Sequence, residues 1–252
     1  MRALFKYIVV PLGLCLVACS DENSAKPDLR ILTLNLQTFA ANPAVELRTA
    51  LVIDYLRLES PDLIALQEAA QSSEVSNRAQ VIAAAAGYEY VWTSADSNEP
   101  LDYMGGTAVL SRWPIESQEI EDLPYLGLEG EYQSRAIRIT SQTPIGQVNF
   151  VGVHVSTIDA GNLKMDQTIA GANLLLKAQQ ALPGFYAGDF NAEPDAQSIE
   201  ALLSTSRGSF ADAWTEANPG ASGFSYPASN PDRRIDYIFS SPGTEKRAEA
   251  LR

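Results

Sequence analysis

Four stretches of the sequence end an apolar run on a polar side chain capable of chemistry. They are LTLNLQTF with Asn35, LIALQEA with Glu68, FVGVHVST with His154, and YAGDFNAEP with Asp189 and Asn191. Carboxylates such as Glu68 and Asp189 hold hard divalent cations through oxygen, or take a proton from water. An imidazole moves protons near neutral pH. A carboxamide both donates and accepts hydrogen bonds without adding charge to an anionic site. Each residue alone fits an ordinary turn, and His154, the single histidine of the chain, fits a structural role. Together they point to a site, because α/β folds gather functional groups at strand ends. GDFN also has a mechanical reading. Gly188 lets backbone approach closely, and the two-residue period of an extended chain puts Asp189 and Asn191 on one side while Phe190 packs behind.

The elements that must position these residues are written as hydrophobic periods. LRILTLNL (29–36) alternates as a strand, VELRTALVIDYLRLES has apolar positions at helical spacing, and the short bounded run at 63–66 predicts a strand buried on both faces. Residues 74–86 are alanine-rich and helical, with Gly87 as the stop. Strands are expected around YEYVWTS, GTAVLSR, RAIRIT, QVNFVGVHVS and GFYAGDF. Residues 162–181 form the longest helical pattern, 197–203 a short helix, and RIDYIFS from Arg234 a final strand. Trp92, Tyr103 and Trp113 lie near turns, where packing is favoured over a place on a substrate rim. No linker or fixed-period repeat interrupts the pattern, which predicts one α/β domain.

The N-terminus has a different character. Arg2 and Lys6 precede the apolar run YIVVPLGLCLVA, too short for a transmembrane helix and the right size for an export signal. Its end, Leu16-Val17-Ala18-Cys19, resembles a bacterial lipobox, which implies cleavage after Ala18, acylation of Cys19, and outer-membrane sorting because Ser20 follows. Residues 1–18 are thus expected to be a lipoprotein signal, 19–27 a polar tether, and 28–252 the domain, exported and held at the cell envelope facing the periplasm. Cys15 lies within the signal and Cys19 is the anchor, so the mature chain is expected to have no cysteine pair for a disulfide. The chain carries 18 basic and 31 acidic residues. Removing Arg2 and Lys6 with the signal leaves 16 against 31, a net of −15. That balance disfavours nucleic acid as a partner, since such affinity draws on cationic neutralisation of phosphates.

In order, TLNLQTF, PDLIALQE, GTAVLSRWPI, VNFVGVHVS, GDFNAEP and RRIDYIF resemble the endonuclease/exonuclease/phosphatase superfamily, across nearly the whole chain after the signal. The resemblance implies a DNase I-like four-layer sandwich, with two mixed β-sheets face to face and helices outside. It implies metal-dependent hydrolysis of a phosphate ester, in which charge builds on the phosphoryl oxygens. Glu68 is then the principal ligand of Mg²⁺, with Mn²⁺ or Ca²⁺ as alternatives, and Asn35 contributes to the metal shell and the scissile phosphate. Asp189 orients or deprotonates the attacking water, Asn191 fixes that aspartate, and His154 donates to a non-bridging oxygen or the leaving group. Arg135 and Gln167 fall where the family often has polar residues near the phosphate, and ordinary surface placement is equally compatible with both.

Asp236, between Ile235 and Tyr237 in an apolar strand, should be partly buried and therefore partnered. In the family its partner is a histidine from a following Ser-Asp-His segment, which this sequence does not contain. The domain is accordingly expected to lack its last strand. Three readings stay open: a sequence shortened at its C-terminus, a catalytically inactive lipid-anchored module that binds phosphorylated ligands, or an enzyme in which Arg233 or Arg234 supplies the missing positive charge. A monomer acting on small phosphoesters or phospholipid head groups is expected.

Overall fold

Strand and helix periods divide the chain into fifteen strands and five helices in the computed structural model, which describes residues 8–13, 28–37, 44–72, 76–97, 103–178, 182–204, 210–242 and 244. The first half comprises β1 (Ile8–Gly13), β2 (Asp28–Asn35), α1 (Val45–Glu59), β3 (Leu63–Gln67), β4 (Gln71–Ser72), α2 (Arg78–Ala86), β5 (Glu89–Ser94), β6 (Asp96–Ser97), β7 (Tyr103–Met104), β8 (Gly106–Ser111) and β9 (Ile115–Asp122). The second comprises β10 (Tyr132–Gln133), β11 (Arg135–Thr143), β12 (Gly146–His154), α3 (Leu163–Leu176), β13 (Gly184–Asp189), α4 (Gln197–Leu203), β14 (Ala211–Asp212), α5 (Ala213–Ala217) and β15 (Asp236–Ser240).

One sheet runs β1-β2-β3-β8-β5 and the other β14-β15-β13-β12-β11-β9; β4-β7 and β6-β10 are short separate ladders. Each large sheet contains one parallel pair among antiparallel neighbours, β2 with β3 and β12 with β13. Parallel pairing needs a crossover, and α1 and α3 supply it. The sheets stack through β12 and β13 against β2, β3 and β8. Ile31, Ala65, Val109, Ile139, Phe150 and Phe185 fill the space between them. Residues of opposite parity face the helices: Leu32, Ile64 and Leu66 pack with Val52, Leu56 and Ile82, while Val151, Val153 and Tyr186 pack with Leu174, Leu175 and Ile199. The order of layers is therefore helix, sheet, sheet, helix. β3 is buried along its whole length, because it has a sheet on one face and helices on the other.

Two glycines set spacing. A Cβ at Gly152 would meet the Val109 side chain of the opposite sheet, and one at Gly188 would fall on the carbonyl oxygen of Val153 in adjacent β12. The need for glycine in GDFN thus comes from a neighbouring strand rather than from a ligand.

Several boundaries differ from the sequence reading. α3 stops at Leu176 rather than 181, and β15 begins at Asp236, because Arg234 is drawn aside to pair with Asp212 at 2.6 Å. α2 begins at Arg78, where the Asn77 side chain caps it by accepting from the Gln80 amide. The expected signal contributes β1, antiparallel to β2 with Ile8 opposite Thr33, since an extended apolar run satisfies the backbone groups along that edge. Cys19 and the rest of 14–27 lie outside the described residues. No helix among the described residues is long and apolar enough to cross a membrane.

Because its Cβ would strike backbone rather than a flexible side-chain end, Gly188→Ala is expected to destabilise the protein by about 1–3 kcal/mol. Gly105→Ala, which adds a Cβ into open space, should change stability by less than about 0.5 kcal/mol. Urea unfolding of the two variants beside wild type checks the contrast.

Candidate active site

Strand parity delivers four of the candidate residues to one mouth of the sandwich. Asn35 shares the inner face of β2 with Ile31, His154 that of β12 with Phe150, Asp189 that of β13 with Ala187, and Asp236 that of β15 with Ile238. Register brings three of them level, with His154 beside Asp189 and Asp189 beside Asp236. Glu68 has the opposite parity, that of the helix-facing Ile64 and Leu66. It nevertheless lines the same cavity because it lies one residue past β3 with left-handed backbone, φ 53°. Asn191 also adopts φ 47°, so the period of an extended chain does not carry it. A turn does: Asp189 Oδ1 accepts from the Asn191 amide at 2.9 Å. Phe190 is fully buried among Tyr186, Tyr237 and Phe239, as its place between two site residues predicts. Of the four non-glycine residues with positive φ among those described, Gln37, Glu68 and Asn191 sit at this mouth, where such strain characteristically gathers.

One amide joins the two sheets. Asn35 Nδ2 donates to Glu68 Oε1 at 2.9 Å and to Asp189 Oδ2 at 3.1 Å. Its own oxygen accepts from the Gln37 amide at 3.0 Å. Asn35 therefore presents nitrogen to the two carboxylates and spaces them. Asn191 Nδ2 donates to the Val155 carbonyl at 2.8 Å and lies 3.3 Å from His154 Nε2, which stands 4.0 Å from Asp189 Oδ2. Neutral His154 with its proton on Nδ1 accepts from Asn191, whereas the imidazolium donates toward Asp189.

Burial raises the Glu68 pKa, and neighbouring Asp189 raises it further, while His154, the Asn35 hydrogen bond and Arg48 oppose the shift. A hard divalent cation suits this environment. The donors are carboxylate oxygens without thiolate, and like charges held close by a single amide leave negative potential to neutralise. No group of three or more His, Cys, Asp or Glu side chains is placed to cage a metal among the described residues. Mg²⁺ fits that deficiency, since it commonly takes one or two carboxylates and completes its octahedron with water and substrate oxygen.

The remaining candidates separate. Asp236 lines the cavity and is half-buried. Arg135 does not line it: its guanidinium bonds Asp122 at 2.6 Å and the Ser94 carbonyl at 2.9 Å, which corrects its placement at the phosphate. Gln167 is fully buried, accepting from the Ser156 amide and donating to the Pro124 carbonyl, both at 2.8 Å, so it ties the loop after β12 to a neighbouring segment. Trp92 and Trp113 donate to the Ala69 carbonyl and to Asp62, away from the cavity. Arg234 is buried against Asp212 and over the Tyr237 ring, while Arg233 reaches the rim and stacks on Tyr226, 4.8 Å from the ring centre. Sequence reading passed over Arg48, Lys164 and Tyr226, which also line the cavity of about 1110 Å³. For Arg48 a signal existed, because helical spacing puts it on the apolar stripe of Val45 and Val52.

Two mixed sheets between helical layers, with an acid-amide-imidazole cluster at one mouth, define a DNase I-like fold. The model of the Endonuclease/Exonuclease/phosphatase family matches residues 32–251, and the chain belongs to that family. Among solved structures it is similar to an endonuclease/exonuclease/phosphatase from Beutenbergia cavernae (24% identity, TM-score 0.66, covering 85% of this chain and 64% of that one). The chain thus spans less than two thirds of that protein's length. It is also similar to the human Nocturnin catalytic domain with bound sulfate anion (20%, 0.64, 85% and 83%). A third similar structure is a Bacteroides thetaiotaomicron mannosyl-6-phosphatase (19%, 0.65, 85% and 86%). A search of curated proteins found no match.

The raised Glu68 pKa has a signed consequence. The unfolded chain releases this proton at lower pH than the folded one, so the group's contribution to stability falls as pH rises from the ordinary carboxylate value through the folded value. Glu68→Gln is therefore expected to raise the melting midpoint of metal-free protein at about pH 7 and to leave it nearly unchanged at about pH 3, where both side chains are neutral. Thermal unfolding with chelator at both pH values measures this. The same difference at each would argue against a charge penalty at Glu68.

Proposed function

We propose that the protein is a divalent-metal-dependent hydrolase of phosphate esters, exported and anchored to the cell envelope through lipidated Cys19. The observation that carries the reading is the bridge from Asn35 to Glu68 and Asp189 beside His154, at the mouth of a cavity. Glu68 would hold the cation, for which Mg²⁺ is the first choice and Mn²⁺ and Ca²⁺ are the alternatives. When bound, the ion supplies Lewis-acid polarisation of a phosphoryl oxygen.

The chain's own groups divide the rest. Asp189, its carboxylate fixed by Asn35 and the Asn191 amide, is oriented to accept a proton from an attacking water. Neutral His154 is held from the side by Asn191, and as imidazolium it turns Nε2–H toward a phosphoryl oxygen or the leaving group. Asp236 borders the same cavity from β15. Arg233, at the rim, is the cation available to meet charge on that side, and Arg234 is committed to Asp212.

Substrate class follows from charge and family. An acidic chain held at a membrane favours small phosphoesters or phospholipid head groups over bulk nucleic acid. The similarity to a mannosyl-6-phosphatase supports phosphomonoesters within that range, beside phosphodiesters.

Purified protein with each cation is assayed on p-nitrophenyl phosphate and bis-p-nitrophenyl phosphate. Metal-stimulated release is expected on at least one, with Glu68→Ala and Asp189→Ala lowering kcat/KM by about 10³-fold. Release no greater than that of the Glu68→Ala variant would reject the enzyme reading. Tight binding of phosphorylated compounds without turnover would instead favour a binding module. In cells, Cys19→Ser is expected to move the protein out of the membrane fraction, since stable attachment requires the acyl chains. An unchanged membrane share would reject the anchor.

A further inference from the structure

The cavity presents an electrostatic difficulty that the reading above leaves open. Six carboxylates line it against three cationic side chains, Arg48, Lys164 and Arg233. A phosphate ester entering it must be met by positive charge beyond a single divalent ion. The three cations differ in how they are held. Arg233 stacks on Tyr226 and lies 3.6 Å from Asp232, at the open rim. Lys164 lies in the first turn of α3, half-buried. Arg48 lies on α1, half-buried, and reaches the cavity from the helix layer.

Arg48 lies on α1 between Val45 and Val52, which both pack into the core, so its stem runs inward. Its Nε is shut off from solvent without a hydrogen-bond acceptor. Among the described residues no acid pairs with its guanidinium. Arg78, Arg138 and Arg234 likewise have an unpartnered Nε, but each is neutralised by an acid: Arg78 pairs with Glu46, Arg138 with Glu119 and Arg234 with Asp212. Arg48 does feel Glu68, whose proton affinity it lowers, but Glu68 Oε1 is already engaged by Asn35. A guanidinium is a planar fork of donors matched to two oxygens of one phosphate, and a donor shut off from water without an acceptor is costly. What the geometry lacks is an anion delivered from the cavity.

We infer that Arg48 is a substrate-binding residue that grips non-bridging phosphoryl oxygens from the α1 side, opposite His154 and Asp189. This rests on the phosphoester reading. It adds a specificity element from the helix layer to the first sheet's side of the site, where β2 and the position after β3 supply Asn35 and Glu68. It also gives the phosphate a cationic contact beside that of the metal ion.

Arg48→Met keeps the apolar stem and removes the fork, and Arg48→Lys keeps the charge without it. Three readouts are taken on the full chain with Mg²⁺: KM and kcat on p-nitrophenyl phosphate, the inhibition constant of inorganic phosphate, and Mn²⁺ affinity by electron paramagnetic resonance. A charge-assisted contact predicts that Arg48→Met raises KM and the phosphate inhibition constant together by about 10- to 100-fold. Mn²⁺ affinity should stay within about twofold, and Arg48→Lys should recover part of the loss. Unchanged phosphate inhibition would overturn the assignment. So would a shift in Mn²⁺ affinity alone, which would make Arg48 a modulator of Glu68. Wild-type protein that neither hydrolyses the ester nor binds phosphate would instead bring down the phosphoester reading, and this assignment with it. Circular dichroism melting of Arg48→Met guards against misfolding: if its midpoint drops sharply, Arg48→Lys decides by the same criteria.

Discussion

The site depends on one carboxamide nitrogen. Asn35 Nδ2 bonds an acid from each half of the sandwich, Glu68 from the first sheet and Asp189 from the second. Two carboxylates held that close repel, and the low dielectric of a half-buried mouth strengthens the repulsion. A neutral donor shared between them is the least disruptive spacer, because it attracts both without cancelling the charge a cation would need. The bridge in turn requires the sheets to approach closely. Gly152 opposite Val109 permits this, and so do the small and β-branched side chains between the sheets.

Asn35 was legible as a site residue because a strand's parity is written in its sequence. Ile31 and Asn35 share a face, as do Phe150 and His154, so core residues that fix the sheets also aim the polar ends. Glu68 shows where that logic stops. Parity assigns the inner face to Gln67, which is fully buried and bonded to Thr33. Left-handed backbone at Glu68 is required to turn its side chain back, and nothing local in QEA announces it. Its place at the end of an apolar run marked Glu68, but the direction of its side chain was not written there. Asn191 lines the cavity, but a side-chain-capped turn brings it there in place of the extended geometry its sequence suggested.

Charged residues were the least legible. Arg135 stands at the start of a strand near the mouth, yet its cross-strand neighbour on β9, Asp122, decides where it points. Arg48 went unnoticed, although the stripe of Val45 and Val52 turns it toward the cavity. Long flexible side chains take their position from tertiary partners, which hydrophobic periodicity does not encode. The same applies to Ile8–Gly13, whose composition suits an export signal and an edge strand equally, so that only an available strand edge distinguishes the two.

The two parallel pairs carry a further consequence. β2-α1-β3 and β12-α3-β13 are each local βαβ units, and each contributes one half of the mouth. Either unit can form its own contacts early, but the complete cluster exists only after the sheets dock. An anion gripped from both sides therefore acts as a staple across the docking plane. Amide hydrogen exchange in β3 and β13, on opposite sides of that plane, should slow in concert when such a ligand is present, although the two strands share no backbone hydrogen bond.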